Sequence, residues 1–575
     1  MMIISELKKI SKILKDKDKK YYVVYFFAFI FISILETMSV GLIPAYFTII
    51  IDTNLLLEQL RFNTQLYEFS KSLFDKGSII LYFTYAILLF FLLKFIYSII
   101  FHFFEAKYFN IIKINLSTSL TSLYLRKNYI FHTENNPLVL SRNVTSEVNT
   151  TAAYLKSFVI VIKEIIQIFF ILLLLLFANF KITILILSLS TILAFIYLKI
   201  FSSKLAKKSK ISFYERGEKS KIIDQIFNLI IEVKLYNKSK YFVEKFSKSI
   251  TREFESNMFF DYINKLPRIF LEFFIVCLVI GSMFFALFLK LDLIALVPII
   301  ALYFFAALRV YPSLNAILLN RLSLINGQVS IDQIYSEILN ANKDIDLYEN
   351  SEKKLDFENF LELKNISFKY KNRITALKNI NLKINKYETI GIVGETGSGK
   401  STLIKIIMGF LEPDSGSVFI DKNELKDIKK SWQKKIGYVP QNFSMLDDTI
   451  SANILFGENE KDMKKIYNII KEVSLEEFIN TLPNKIDTLV GPNAKQVSGG
   501  QAQRIAIARA LYQNPQLLIF DEATNSLDEK TEKEIMNNIY SLKNRTSIII
   551  THKKSLLNGC NKIFKIENNG IINIK

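Results

Sequence analysis

Val393-Gly394-Glu395-Thr396-Gly397-Ser398-Gly399-Lys400-Ser401-Thr402 decides how the second half of the chain folds. An apolar run from Thr389 to Val393 precedes it, and Leu403-Ile404-Lys405-Ile406-Ile407 follows. Strand, glycine-rich turn and helix in that order form the setting of a phosphate-binding loop. The glycines let the backbone curl until successive N–H groups face the phosphates, and the helix N-terminus adds the positive end of its dipole. Lys400 is then placed to reach the outer phosphates, and Ser401 to offer its hydroxyl to Mg²⁺.

Further along, Leu517-Leu518-Ile519-Phe520-Asp521-Glu522 is an apolar strand ending in two acids. Asp521 is placed to complete a Mg²⁺ shell, and Glu522 to accept a proton from an attacking water. Between loop and acids stands Val497-Ser498-Gly499-Gly500-Gln501, followed by Arg504-Ile505-Ala506-Ile507-Ala508-Arg509-Ala510-Leu511. In this order the motifs resemble the ABC ATPase family over residues 358–575. The resemblance implies ATP held by Gly394, Glu395, Thr396, Gly397, Ser398, Gly399, Lys400, Ser401 and Thr402, with Mg²⁺ on Ser401, Gln441 and Asp521. It also implies Tyr370 stacked on adenine, Gln441 sensing the membrane domain, Asp528 in the loop that links two ATP sites, and His552 against the γ-phosphate. Glu522, His552 and Gln441 form the catalytic set that follows, so ATP hydrolysis is expected and not binding alone. Val497 stands where the family usually has Leu, and Asn525-Ser526 where Ser-Ala is commoner; neither change removes a polar group from the chemistry.

The first half reads differently. Of 575 residues half are hydrophobic, 49 of them Phe, and the mean hydropathy is +0.25, yet 73 Lys+Arg against 54 Asp+Glu leave a formal charge of +19. Two cysteines, Cys277 and Cys560, exclude a disulfide-stapled scaffold, and three histidines, His102, His132 and His552, exclude a His-rich metal site. From Tyr21 to Ile51 a single carboxyl, Glu36, interrupts apolar sequence. About 20 such residues cross roughly 30 Å of hydrocarbon. Six spans are expected, at 21–51, 79–104, 157–178, 182–201, 269–289 and 293–316. Lysines crowd residues 1–20 and the cluster Lys204, Lys207, Lys208, Lys210, which puts both on the cytoplasmic side. The tight connections Asn179-Phe180-Lys181 and Lys290-Leu291-Asp292 then lie outside, while the long, polar, helix-like segments 105–156 and 202–268 lie inside. In the outer segment 55–74, Phe62, Leu66, Phe69 and Leu73 make a helical stripe, read either as an amphipathic helix on the membrane face or as a loop helix capping the spans. With the lysines flanking membrane spans or coating a cytoplasmic domain, no nucleic-acid partner is expected.

The expected fold is a membrane α-helical domain of six transmembrane helices fused to a cytoplasmic α/β P-loop ABC ATPase domain. Its parts are a basic N-terminus (1–20), a membrane domain (21–316), a linker (317–357) with a charged helical stretch from Asn342 to Glu352, and the ATPase domain (358–575). Six spans ahead of one ATPase domain resemble the exporter class of ABC transporters. In that family ATP lies between the phosphate loop of one ATPase domain and the signature of another, here Ser498, Gly499, Gly500 and Gln501. One loop and one signature per chain imply a homodimer.

Charges inside spans are costly and informative. Lys94 and Arg309 each fall about 15 residues into an inward-running span, roughly 22 Å from the outer boundary, with Arg268 near the same level. They read either as a basic ring for an anionic head group, or as an Arg268–Glu272 pair with Lys94 and Arg309 snorkelling to the interface. Ile34-Leu35-Glu36-Thr37, Val144-Thr145-Ser146-Glu147-Val148, Pro267-Arg268-Ile269-Phe270-Leu271-Glu272 and Arg309 with Pro312-Ser313-Leu314-Asn315 resemble the bacterial flippases of lipid-linked oligosaccharides used in protein N-glycosylation. That resemblance implies a polyprenyl-pyrophosphate-linked oligosaccharide moved from the inner to the outer leaflet. Export of lipid A-type lipids, drugs or peptides is the alternative. Richness in Lys, Asn and Ile suits a bacterial chain, with the inner (plasma) membrane as its expected place.

Overall fold

The computed structural model describes residues 9–13, 16–51, 76–288, 293–340, 356–370, 375–458, 461–491, 497–523, 529–541 and 544–575. The chain divides into two compact units, one of residues 1–126 and 135–343, the other of 127–134 and 344–575.

Six long helices build the first unit: α1 (Asp16–Ile51), α2 (Lys76–Leu125), α3 (Val148–Ala178), α4 (Phe180–Asn228), α5 (Ser239–Phe288) and α6 (Leu293–Leu339). A helix of 50 residues, such as α2 or α5, is about 75 Å long, more than twice the hydrocarbon thickness of a bilayer. The polar segments after spans two and four therefore continue their helices. Among the described residues, four stretches are long and apolar enough to cross a membrane: Val23–Phe47, Ile80–Leu125, Pro137–Ala178 and Ala301–Leu339. The other two expected spans fall on α4 (182–201) and, as far as residue 288, on α5 (269–288).

One helix continues beyond its expected span. The linker expected from residue 317 begins as unbroken helix, because α6 runs on to Leu339. Its apolar spacing persists, with Ile331 and Ile334 fully buried, and Gly327 lets α6 approach Tyr154 of α3 so closely that an added Cβ would sit 3.0 Å from the tyrosine. Nearby, Ser330 donates to Glu147 Oε2 at 2.6 Å and Gln333 to Asn143 Oδ1 at 2.9 Å, which ties α6 to a five-residue π-helix, Asn143–Glu147, ahead of α3. At the far end of α3 the turn is tighter than expected: Asn179 alone leaves the helical region, and Phe180 already starts α4. Thr183 Oγ1 donates to the Asn179 carbonyl at 2.7 Å, and Tyr303 of α6 donates to the same carbonyl at 3.1 Å. The Lys290-Leu291-Asp292 turn, the 55–74 stripe and the 342–352 linker stretch lie outside the described residues.

The second unit holds two sheets. Strands β1 (Phe360–Lys369), β2 (Thr375–Asn385), β4 (Ser415–Ile420) and β5 (Asn423–Glu424) pair antiparallel in the order β2-β1-β4-β5. The other sheet has the order β10-β9-β3-β8-β7-β6, from β3 (Thr389–Gly394), β6 (Ile436–Val439), β7 (Leu517–Asp521), β8 (Thr546–Ile550), β9 (Lys562–Glu567) and β10 (Gly570–Asn573). Its β9-β3-β8-β7-β6 portion is parallel, and β7 and β8 are buried along their whole length, as continuous apolar runs in parallel sheets are. Residues 127–134 belong to this unit, and the Tyr129 ring stacks on Phe410 at 5.4 Å.

Trp432, the chain's one tryptophan, is fully buried, donates to the Ile407 carbonyl at 2.9 Å and meets the buried Phe357 ring edge-on at 5.5 Å. Phe357→Ala is expected to destabilise this unit by about 3–5 kcal/mol, lowering the denaturant midpoint followed by Trp432 fluorescence in the full chain. An unchanged midpoint overturns the assignment of this pair to the core.

Candidate functional site

Parallel strands end at one edge of a sheet, and the loops that follow them share that edge. Gly394 closes β3, Gln441 comes two residues after β6, Glu522 directly follows β7, and His552 comes two residues after β8. Register confirms the alignment, with Ile392 and Asp521 both paired to Ile550, and Val439 to Phe520.

The loop after β3 leads into helix α7 (Lys400–Ile407), capped by Gly399 in the left-handed region at φ 105°. A Cβ on Gly399 would lie 2.6 Å from the Ala376 carbonyl oxygen, so glycine is required both by conformation and by space. Glu395, Thr396 and Gly397 form the exposed tip, with Gly397 also left-handed at φ 83°. Lys400 folds back over the loop, its Nζ donating to the Gly394 and Glu395 carbonyls at 2.7 and 2.9 Å. Burial holds its pKa below the ordinary lysine value, while Glu522 and Asp521 pull it upward. Ser398 Oγ is buried and, among the described residues, has no hydrogen-bond partner. Ser401 is exposed on the first turn of α7. Thr402 Oγ1 lies 3.3 Å from the Tyr370 hydroxyl, which places Tyr370 beside this helix, its ring edge-on to Phe368 at 4.9 Å.

Glu522 gathers the remaining groups. Gln441 Nε2 donates to its Oε2 at 2.7 Å, and His552 Nε2 lies 3.0 Å from its Oε1. Its backbone is left-handed at φ 51°, a conformation costing a non-glycine residue about 1–2 kcal/mol, and is fixed by the bond from its N–H to the Ile550 carbonyl at 3.0 Å. Asp521 is buried beside it and accepts from the Tyr438 hydroxyl at 3.2 Å. Burial raises the Asp521 pKa; the Tyr438 hydrogen bond, Lys405 and Lys400 lower it, and Glu522 raises it further. Sequence reading missed Tyr438, whose signal was its place on an apolar strand three residues before Gln441.

Ser498 caps helix α8 (Gly499–Tyr512) in a reciprocal box: Gln501 N–H donates to Ser498 Oγ at 3.2 Å, and Ser498 N–H to Gln501 Oε1 at 2.8 Å. Gly499, exposed, and Gly500, half-buried, form the first turn. This helix packs into a different core from the phosphate loop: Ile505, Ile507 and Leu511 join Ile454, Ile466 and Ile470, whereas Leu403, Ile404 and Ile407 of α7 join Leu361, Leu363 and Trp432. Asp528 lies outside the described residues.

In the membrane unit, Arg309 of α6 forms an ion pair with Glu36 of α1, and Lys94 of α2 donates to Ser39 Oγ at 2.8 Å. Both cations are thereby tied to α1. Arg268 lies on α5 with its side chain outside the description, so its pairing with Glu272 stands untested.

Residues 24–310 match the ABC transporter transmembrane region and residues 377–525 the ABC transporter ATP-binding family, together well over half of the chain. A putative export ATP-binding/permease protein of Rickettsia prowazekii is 38% identical over 37% of this chain and 38% of its own length. The leukotoxin translocation ATP-binding protein LktB of Mannheimia glucosida is 41% identical over 37% of this chain and 30% of its own. These alignments span under half of either relative. A bacterial Atm1-family ABC exporter solved with ATP bound shares the fold, with a TM-score of 0.75 at 18% identity over 97% of this chain and 95% of that one.

Gly399→Ala is expected to lower the thermal stability of the ATP-binding unit by at least about 1–2 kcal/mol and to weaken binding of a fluorescent ATP analogue. A variant with wild-type midpoint and affinity overturns the requirement for glycine there.

Proposed function

This chain belongs to the ABC transporter family, and from that premise we propose that it hydrolyses ATP to drive export across a membrane as a homodimer. The observation that carries the hydrolytic reading is the Glu522 carboxylate held between Gln441 and His552 beside the phosphate loop's own strand edge. The loop suits a nucleotide: glycine alone fits at 399, the buried Ser398 hydroxyl lacks a protein partner among the described residues, and the N-terminus of α7 carries Lys400. Ser401, Asp521 and Gln441 offer hard oxygen donors, the set that suits Mg²⁺, which when bound neutralises charge on the transferring phosphoryl group.

In this reading Lys400 and the loop N–H groups hold the β- and γ-phosphates, Tyr370 flanks the adenine, and Glu522 takes the proton of the attacking water. Gln441 and His552 fix which way that carboxylate points, and His552 is the group that meets the γ-phosphate. Ser498, Gly499, Gly500 and Gln501 complete the partner chain's site, with Asp528 between the two. One loop and one signature, seated in separate cores, are what an isologous pair of chains needs.

For cargo, the flippase resemblance and the cations Lys94, Arg268 and Arg309 support a polyprenyl-pyrophosphate-linked oligosaccharide, moved between leaflets of a bacterial inner membrane through six spans per chain. The export and toxin-translocation relatives favour a second reading, export of lipid A-type lipids, drugs or peptides.

Glu522→Gln is expected to keep ATP binding and cut hydrolysis by about 10²–10⁴-fold, measured as phosphate release by the full chain in liposomes. Near-normal hydrolysis overturns Glu522 as the base. In the same liposomes, ATP should move a fluorescent lipid-linked oligosaccharide, and only in the protein with intact Glu522. No movement, or equal movement of drugs, overturns the cargo.

A further inference from the structure

One turn of α1 collects Arg309 and Lys94. Glu36 pairs with Arg309; three residues on, Ser39 accepts from Lys94 Nζ and donates to the Glu36 carbonyl at 2.6 Å. Helical periodicity extends this into a layer across three helices. Val40 of α1, Ile171 of α3 and Ala306 of α6 pack in one apolar cluster. Steps of four, four and three from them reach Glu36, Gln167 and Arg309, and the Glu36–Arg309 contact shows that the steps run the same way.

This layer is short of hydrogen-bond partners. Gln167 is 1% exposed, and among the described residues neither its Oε1 nor its Nε2 is bonded; Glu36 Oε2 and Arg309 Nε are likewise unbonded. Each such buried group costs about 1–3 kcal/mol. Around this turn of α1, among the described residues, Arg309 and Lys94 stand against the Glu36 carboxylate. Access is uneven. The Arg309 side chain is 34% exposed and Lys94 is half-buried, while the Glu36 side chain is 9% exposed.

We propose that Glu36 is the resident counter-ion of Arg309 and sets the affinity for the anionic head group. The proposal rests on the reading of a pyrophosphate-bearing lipid as cargo. A pyrophosphate reaching the exposed side of Arg309 and Lys94 competes with Glu36 for the guanidinium. The displaced carboxylate remains in a layer where, among the described residues, the Gln167 amide N–H groups have no acceptor. Binding then yields the pyrophosphate's attraction minus the cost of parting Glu36 from Arg309. A head group held this way is held weakly enough to leave, as transport requires.

The test is titration of the full chain in detergent, with ADP saturating the phosphate loop, against farnesyl pyrophosphate, inorganic pyrophosphate and farnesol. Glu36→Gln keeps the shape and removes the charge; it should tighten farnesyl pyrophosphate binding about tenfold and leave farnesol unaffected. In an Arg309→Gln background, Glu36→Gln should bring no such gain. Tightening for inorganic pyrophosphate as well identifies the phosphates as the recognised group; tightening for farnesyl pyrophosphate alone makes the lipid chain a second requirement of the same site. If Glu36→Gln leaves the dissociation constant unchanged or weakens it, or if the gain survives without Arg309, the counter-ion role is overturned. Glu36→Asp covers misfolding: it keeps the charge and should bind as the native chain does, and tightening by this variant also overturns the role. If the liposomes move no lipid-linked oligosaccharide while Glu36→Gln still tightens pyrophosphate binding, the cargo reading falls and the counter-ion stands. The reverse pattern removes the counter-ion alone.

Discussion

Parallel pairing of β3, β8, β7 and β6 is the constraint on which the nucleotide site depends. Because these strands run the same way, the residues just past their ends meet at one edge although they are scattered from Gly394 to His552 along the chain. The strands themselves contribute no reactive group until their last residue, Asp521 of β7. Their work is burial, which fixes the edge so firmly that Glu522 can be held in a left-handed conformation that its side chain disfavours. The hydrogen bond from Glu522 N–H to Ile550 O ties that strained residue to the neighbouring strand, and the two side-chain contacts orient its carboxylate.

A second constraint governs the membrane unit: a charge surrounded by apolar helices must find a partner or a water-filled face. The structure resolves it on α1. Glu36, the single carboxyl of the first span, takes Arg309, and Ser39 takes Lys94. Lys163 and Glu164 follow the same rule within α3, 3.7 Å apart, with the Lys163 ammonium 5.9 Å from the Phe101 ring centroid. Charge in this unit is therefore organised around helix contacts, in contrast to the lysine-rich surface elsewhere.

The difference explains what the sequence could reveal. The phosphate loop and the Asp521-Glu522 strand end are local patterns, written in consecutive residues, and the structure places Gln441 and His552 on the same carboxylate. Tyr438 escaped notice because its contact with Asp521 depends on two strands lying side by side, 83 residues apart. The Glu36–Arg309 pair is less legible still. Hydropathy locates spans but carries nothing about how each helix is rotated, and rotation alone decides whether a carboxylate on α1 faces a guanidinium on α6. The length of α6 is hidden for a related reason: a fall in hydropathy after residue 316 marks a change of surroundings, while the helix itself runs on to Leu339.

The signature helix joins these two levels. Its cap is self-contained, Ser498 and Gln501 satisfying one another, so Gly499 and Gly500 are left without duties inside the cap. About one turn along, Gln503 donates to the carbonyl of Ala523, the residue after Glu522, and nearer the far end Arg509 grips Asn453 through both its Nε, at 2.8 Å to the carbonyl, and its Nη2, at 2.9 Å to the side chain. The helix is thus bonded at one point to the strand end that carries the acids and at another to the helical core around Ile454. A displacement of its N-terminus cannot be absorbed locally, since α8 is a continuous helix over 14 residues with most of its side chains buried. The bond from Gln503 to the Ala523 carbonyl therefore ties the signature helix to the peptide next to Glu522, at the parallel edge.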